Sequence, residues 1–275
     1  MKYADLHVHT NYSDSTFTPE EVVSLAGKKG LAAIAICDHD CVDGIEPCRD
    51  FARRSDIDVE IIPSVEVTAE KDNVEIHLLG YFIDWKDADF QKELRAIRDS
   101  RVERIYKMTE KLRACGVEIS PEDVFKLAPR GSVSRLHVAR AMLKAGKVKT
   151  LEEAFDKYIG ASGTCYSPHT HFEPREAIEL ILRVKGVPVI AHPYTMGRDS
   201  FIGEFKGYGL KGIEVYHSDH NTSSTKHYES MAKEHGLIAT GGSDCHGLGK
   251  AKVLLGRVRV PYDVVETLRR ESQRV

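Results

Sequence analysis

Short apolar runs that close on a histidine or a carboxylate recur along this chain, and that repeat constrains the fold more than any other feature. The first run, Tyr3-Ala4-Asp5-Leu6-His7-Val8-His9-Thr10, reads as a strand, whose alternation sets His7 and His9 on one face. Two imidazoles so spaced can grip one metal ion. Asp5 shares their face and is expected to orient a ligand histidine. Asp14 follows on the loop, within reach of the same cavity. Ala32 to Cys37 reads as a buried parallel strand and ends in Asp38-His39-Asp40. Val59 to Val67 has Glu66 near its C-terminal end, and Val74 to Ile83 carries His77. Val187 to Ala191 ends in His192-Pro193, and Gly212 to Tyr216 is followed by His217, expected on an exposed loop. Leu237 to Thr240 runs into Gly241-Gly242-Ser243-Asp244-Cys245-His246, and Lys252 to Val258 is expected to add one more strand.

Helix signals alternate with these strands. Thr18-Pro19-Glu20-Glu21 is a capping box with proline at the first helical position, and the helix should stop at Gly30. A second helix runs from Asp43-Gly44 to about Arg54, and another from Glu173-Pro174 to Lys185. Between the His77 and His192 strands the pattern changes. Phe90, Leu94, Ile97, Ile105, Met108 and Leu112 recur at helical spacing, and Ser120-Pro121, Ser134 and a Thr150–Glu153 capping box open three further helices. The expected organisation is therefore an α/β barrel built from residues 1–85 and 167–275, interrupted by an all-helical insertion over 86–166. In a barrel of parallel strands the C-terminal ends converge on one rim, where active sites form. His7, His9, His39, Glu66, His192, Asp244 and His246 would all meet there.

Composition removes other classes. A chain of 275 residues, 41% hydrophobic and 29% charged, suits a soluble globular protein. Its formal net charge of -3 advertises no affinity for long duplex nucleic acid. No apolar run is long enough to span a bilayer, and the N-terminus lacks the apolar segment of a signal peptide. The six cysteines form no Cys-x-x-Cys pair, and free thiols suit a reducing cytoplasm. No oligomeric state is legible.

His7-x-His9, Asp38-His39-Asp40, Glu66, His77, Ala191-His192-Pro193 and Gly242-Ser243-Asp244-x-His246 together resemble the polymerase and histidinol phosphatase (PHP) family of metal-dependent phosphoesterases. The resemblance covers nearly the whole chain and implies a distorted (β/α)7 TIM-like barrel. The helical insertion is similar to that of the branch acting on nucleoside 3′,5′-bisphosphates or on the 5′ ends of short RNA. It implies three metal sites: His7, His9, Glu66 and Asp244; Glu66, His77 and His192; and Asp14, His39 and His246. Some members place His where this chain has Asp14. Mixed imidazole and carboxylate ligands suit up to three divalent ions of manganese, iron or zinc, and a magnesium-only site would not need so many imidazoles. The implied reaction is attack of a metal-activated hydroxide on a phosphate ester, with Glu66 and Asp244 central and His217 a candidate acid for the leaving oxygen.

The insertion carries seven basic residues and no Asp or Glu from Lys126 to Lys149. Arg135 and His137 stand at a predicted helix start, a good place for an anion, and are the expected ligands of a second phosphate on a small phosphorylated substrate. His169-Thr170-His171 repeats the His-x-His pattern beside Pro168 and is expected to be loop. Three alternatives share parts of this pattern. A metal-dependent amidohydrolase would need a bridging lysine at a strand end, where this chain has Glu66. A regulatory module without activity would lack ligands. Histidinol-phosphate phosphatase would catalyse the same reaction without need of the insertion.

Overall fold

The computed structural model describes residues 1–128, 130–168, 172–249 and 252–275, so His169-Thr170-His171 lies outside the described residues. Eight strands form one sheet: β1 (Tyr3–Val8), β2 (Ala33–Ile36), β3 (Glu60–Lys71), β4 (Val74–Tyr81), β5 (Val187–Ile190), β6 (Gly212–His217), β7 (Ile238–Gly242) and β8 (Val260–Pro261). Their order is β7-β6-β5-β4-β3-β2-β1-β8. The sheet curls until the end of β7 meets β1: the Asp244 amide donates to His7 O at 2.9 Å, and the His9 amide to Cys245 O at 3.1 Å. A Cβ on Gly242 would lie 2.3 Å from the His7 nitrogen, so only glycine lets β7 approach this closely.

Eleven α-helices are present among the described residues. The barrel carries α1 (Pro19–Lys28) and α2 (Ile45–Arg54). The insertion holds α3 (Ala88–Ala114), α4 (Pro121–Phe125), α5 (Arg135–Lys144) and α6 (Leu151–Ala154). The barrel resumes with α7 (Pro174–Arg183), α8 (Pro193–Met196), α9 (Ser200–Tyr208), α10 (Thr222–His235) and α11 (Tyr262–Ser272). The Thr18–Glu21 capping box forms as expected. At Thr150 it does not close: the Glu153 carboxylate takes the Lys149 amide at 2.7 Å instead.

The sheet departs from an all-parallel barrel in one place that matters. β4 runs antiparallel to both β3 and β5. The reason is local: Asp72 and Asn73 both take left-handed backbone conformations, giving a two-residue hairpin that turns the chain straight back. Glu66 therefore sits mid-strand, and β3–β4 project beyond the rim. His77 sits mid-strand too, the fourth of the eight residues of β4 and opposite Thr68. The expected strand over Lys252 to Val258 is absent among the described residues, and β8 instead pairs antiparallel to β1 further on, through Ala4 and Val260.

Three hydrophobic clusters result. Ile34, Ile36, Val65, Leu78, Ile178, Ile181 and Ile190 belong to one in the barrel, Leu6, Ile62, Leu79 and Val189 to a second there, and Met108, Leu112, Val138, Met142 and Ile159 to a third in the insertion. The long helix α3 joins barrel and insertion: Phe90 and Leu94 pack on the barrel, Ile105 and Met108 in the insertion's cluster. Each such side chain contributes about 1.5–3 kcal/mol by leaving water. Between the two, buried Arg101 clamps α3 to the rim. Its Nε donates to Asp40 Oδ2 at 2.6 Å, its Nη2 to Thr68 Oγ1 at 2.5 Å and its Nη1 to Val133 O at 3.2 Å. No helix among the described residues is long and apolar enough to cross a membrane.

Candidate metal centre

At the rim, one carboxylate is ringed by imidazoles. Glu66 Oε2 lies 3.2 Å from His7 Nε2, 3.2 Å from His9 Nε2 and 3.2 Å from His39 Nδ1. Its Oε1 lies 2.9 Å from His77 Nδ1 and 3.0 Å from His192 Nε2. Five nitrogens exceed what one carboxylate accepts, and Oε2 makes no hydrogen bond of good geometry although it is buried.

The far nitrogens of several rings decide which way their lone pairs point. His7 Nδ1 donates to Glu214 Oε1 at 3.0 Å. His246 Nδ1 donates to Asp244 O at 2.9 Å. His77 Nε2 donates to Glu75 Oε1 at 3.1 Å. Each ring thereby turns its other nitrogen inward, where a cation can take the place of a proton, the arrangement of imidazoles that hold a metal. Donor atoms at about 2.0–2.2 Å around a shared cation are themselves about 3 Å apart, which is the spacing seen here. The residues fit divalent ions.

The donors fall into overlapping groups. His7, His9, Glu66 and Asp244 share one, with His9 Nε2 3.0 Å from Asp244 Oδ1. His77 Nδ1 and His192 Nε2 are 3.3 Å apart beside Glu66. Asp14, His39 and His246 meet with His9: Asp14 Oδ1 is 3.0 Å from His246 Nε2 and its Oδ2 3.6 Å from His39 Nε2. His192 and Asp244 have positive φ, a conformation costing roughly 1–3 kcal/mol for a non-glycine residue and concentrated at functional sites.

Electrostatics agree. Burial alone would raise the Glu66 carboxyl, but His39, His7 and His77 hold it well below the usual range. Burial opposes protonation of His9 and His77, yet the neighbouring carboxylates raise them to about 9 and about 10. Burial keeps His39 and His192 below their ordinary value. The cluster is a sink for positive charge.

A cavity of about 580 Å³ opens over this cluster, with Asp14, His39, Glu66, His77, His192, Asp244 and His246 on one side. The insertion supplies Arg104 and Arg135 on the other. Between them stands Glu75, whose Oε1 accepts from Arg135 Nη2 at 2.7 Å and whose Oε2 is 2.8 Å from Arg104 Nη1. A larger groove of about 1300 Å³, lined by Lys2, Arg49, Arg53 and Tyr262, lies at the opposite end of the barrel and brings together no metal-ligand group among the described residues.

Several sequence expectations change. His217 is buried at the end of β6, not on an exposed loop. Its Nδ1 accepts the Asp219 amide at 3.2 Å, so the proton rests on Nε2, 3.6 Å from Asp244 Oδ2. His137 is buried beneath α5, where its Nδ1 accepts the Ser134 amide at 3.1 Å, and it lies outside the cavity lining. Asp5 does not touch an imidazole ring; it accepts the Ser243 and Gly256 amides at 2.8 and 2.7 Å and so holds the Asp244 loop. The histidine support expected of it comes from Glu214, which sequence reasoning missed. Its one signal was a carboxylate inside the apolar run Gly212 to Tyr216. Glu75 was missed too, although it alternates with His77 on one strand face.

The PHP domain family profile matches residues 5–166. The chain is 32% identical over 257 residues to a 3′,5′-nucleoside bisphosphate phosphatase of Chromobacterium violaceum, covering 91% of this chain and 89% of that protein. It is 30% identical over 247 residues to the 5′-3′ exoribonuclease Rnm of Escherichia coli, covering 88% and 84%. Among solved structures, a candidate metal-dependent phosphoesterase from Bifidobacterium adolescentis superposes with a TM-score of 0.88 at 29% identity, over 98% of this chain and 96% of that one.

Proposed function

Because this chain belongs to the PHP domain family and is a metal-dependent phosphoesterase, we propose that it removes a phosphate from nucleoside 3′,5′-bisphosphates or trims the 5′ ends of short RNA. The observation that carries this reading is the cavity with two unlike walls: imidazoles and carboxylates on the barrel side, and Arg104 and Arg135 on the other. Such a cavity suits a small substrate bearing two phosphate groups.

His7, His9, Glu66 and Asp244 would hold one divalent ion, Glu66, His77 and His192 a second, and Asp14, His39 and His246 a third. Manganese, iron or zinc, held there, would neutralise the phosphate dianion and make water acidic enough to attack at neutral pH. The protein's own groups do the rest. Glu214, Glu75 and the Asp244 carbonyl fix the tautomers of His7, His77 and His246. Arg135 binds the phosphate that is not cleaved, in a bidentate geometry that a guanidinium provides. His217, expected as the acid for the leaving oxygen, is buried outside the cavity lining; with its proton on Nε2 beside Asp244 it positions that carboxylate. His137 acts only by capping α5. The six free thiols support a reducing, cytoplasmic setting.

The test is phosphate release by the manganese-loaded protein from a nucleoside 3′,5′-bisphosphate, a mononucleotide, a short 5′-phosphorylated RNA and histidinol phosphate, with ammonia release followed in parallel on amide substrates. A higher kcat/KM for the bisphosphate or the RNA is expected. Preference for histidinol phosphate, or ammonia without phosphate, would overturn the reading.

A further inference from the structure

Outside the centre, two thiols stand in contact. Cys165 Sγ is 3.5 Å from Cys115 Sγ, across 50 residues of chain. Cys115 is the exposed C-cap of α3, and Cys165 is buried against the insertion's core. Among the described residues no other two of the six cysteines touch. A disulfide needs its sulfurs about 2.05 Å apart, so closure asks for a movement of about 1.5 Å. Gly116, next in the chain, has left-handed backbone and open space around it, which leaves the end of α3 able to make that movement.

Cys165 also begins a short strap that reaches the cavity. Lys111 Nζ donates to Tyr166 O at 2.5 Å, and Arg104 Nε to Ser167 O at 2.6 Å. The Tyr166 ring lies 5.3 Å from the Arg104 guanidinium and 5.7 Å from that of Arg135. Whatever fixes Cys165 fixes the support of both arginines.

We propose that Cys115 and Cys165 form a dithiol site for small-molecule disulfides such as oxidised glutathione, and that its product is a bond locking the strap to α3. The exposed Cys115 thiolate attacks one sulfur of the oxidant, forming a mixed disulfide and expelling one small thiolate. The Cys165 thiol gives its proton to the small thiolate expelled in the first step, and its sulfur attacks the Cys115 sulfur and expels the second. Two protein thiols are oxidised by two electrons, and one small disulfide is reduced to two thiols. The contact distance favours the second step over accumulation of the mixed disulfide, because the two sulfurs meet without a search.

The experiment incubates the folded protein with millimolar oxidised glutathione, alkylates remaining thiols and maps the peptides by mass. A Cys115–Cys165 peptide that has lost two hydrogens is expected, with the other four cysteines alkylated. Cys165→Ser should stop at a glutathione adduct on Cys115, and Cys115→Ser should not react at Cys165. Closing a loop of this size should also raise the melting temperature of the wild type by several degrees on oxidation and leave Cys165→Ser unmoved. A stable glutathione adduct on wild-type Cys115, or a linked peptide no more abundant in folded than in urea-unfolded protein, overturns the proposal.

Discussion

Ser134 Oγ donates a hydrogen bond to Asp14 Oδ2 at 2.7 Å, so the cap of a helix in the insertion is bonded to a candidate ligand of the barrel. The same hydroxyl accepts the Leu136 amide at 3.1 Å at the start of α5. The contact is reinforced nearby, where the Ser132 amide donates to Tyr12 O at 3.0 Å.

Removing that hydroxyl should therefore act in two places. Ser134→Ala is expected to cost about 1 kcal/mol of cap, lowering the melting temperature by about 2–4 °C. It should also lower metal content by a fraction of one equivalent, because Asp14 loses the partner that orients it. Elemental analysis of Ser134→Ala beside Ser134→Thr checks this hypothesis: metal content unchanged in the alanine variant would mean that Asp14 is held without the insertion.

Asp244→Ala and His9→Ala should abolish turnover while circular dichroism stays that of the wild type. Both side chains stand at the rim, beyond the residues of the hydrophobic cores, and His9 Nε2 is 3.0 Å from Asp244 Oδ1. Activity within tenfold of wild type in either variant would remove that residue from the centre.

Arg135→Ala should lower kcat/KM for a nucleoside 3′,5′-bisphosphate by about ten- to a hundredfold, the worth of a charge-assisted contact of roughly 1.5–3 kcal/mol. A monophosphate or para-nitrophenyl phosphate should lose far less. Metal content should hold, since Glu75 keeps Arg104 at 2.8 Å and His77 at 3.1 Å after Arg135 is gone. Equal losses on both substrate classes would show that Arg135 only buttresses the fold.

His137 makes stability depend on pH. Burial, the largest effect, lowers this imidazole from its ordinary 6.5 to about 4, and the neutral ring is the one that accepts the Ser134 amide. The unfolded chain takes up a proton near pH 6.5 and the folded chain only near 4, so the unfolded state binds more protons between those values. Its contribution is fully present above about 6.5, fades as pH falls, and amounts to about 3 kcal/mol when lost. His137→Gln keeps a capping acceptor without a titratable group. Urea unfolding at pH 7 and pH 4.5 should thus show a steeper loss for wild type than for the variant; parallel losses would count against the assignment.

Much of this was legible in the residues. His7, His9, His39, His192 and Asp244 each follow or close an apolar run, and strand alternation with barrel convergence is enough to bring such residues together. What escaped has physical causes. The antiparallel turn of β4 rests on two left-handed residues, Asp72 and Asn73, and neither is a glycine that would announce it. His137 and Arg135 share a helix start, but a two-residue offset sends one inward and the other to the cavity. Glu214 belongs to no motif, and only its place inside an apolar strand marks it. Whether His217 is buried depended on β6 extending by one residue to include it.

The seam between β1 and β7 sets a schedule for the centre. His9 and Asp244 are 235 residues apart, and they meet only because Gly242 lets one backbone lie against the other. A chain still being synthesised carries His7, His9 and Glu66 long before Asp244 exists. Loop closure over that separation is among the last and slowest contacts to form. The first ligand set is thus completed at the end of folding, and a nascent chain has no finished grip with which to capture an ion early.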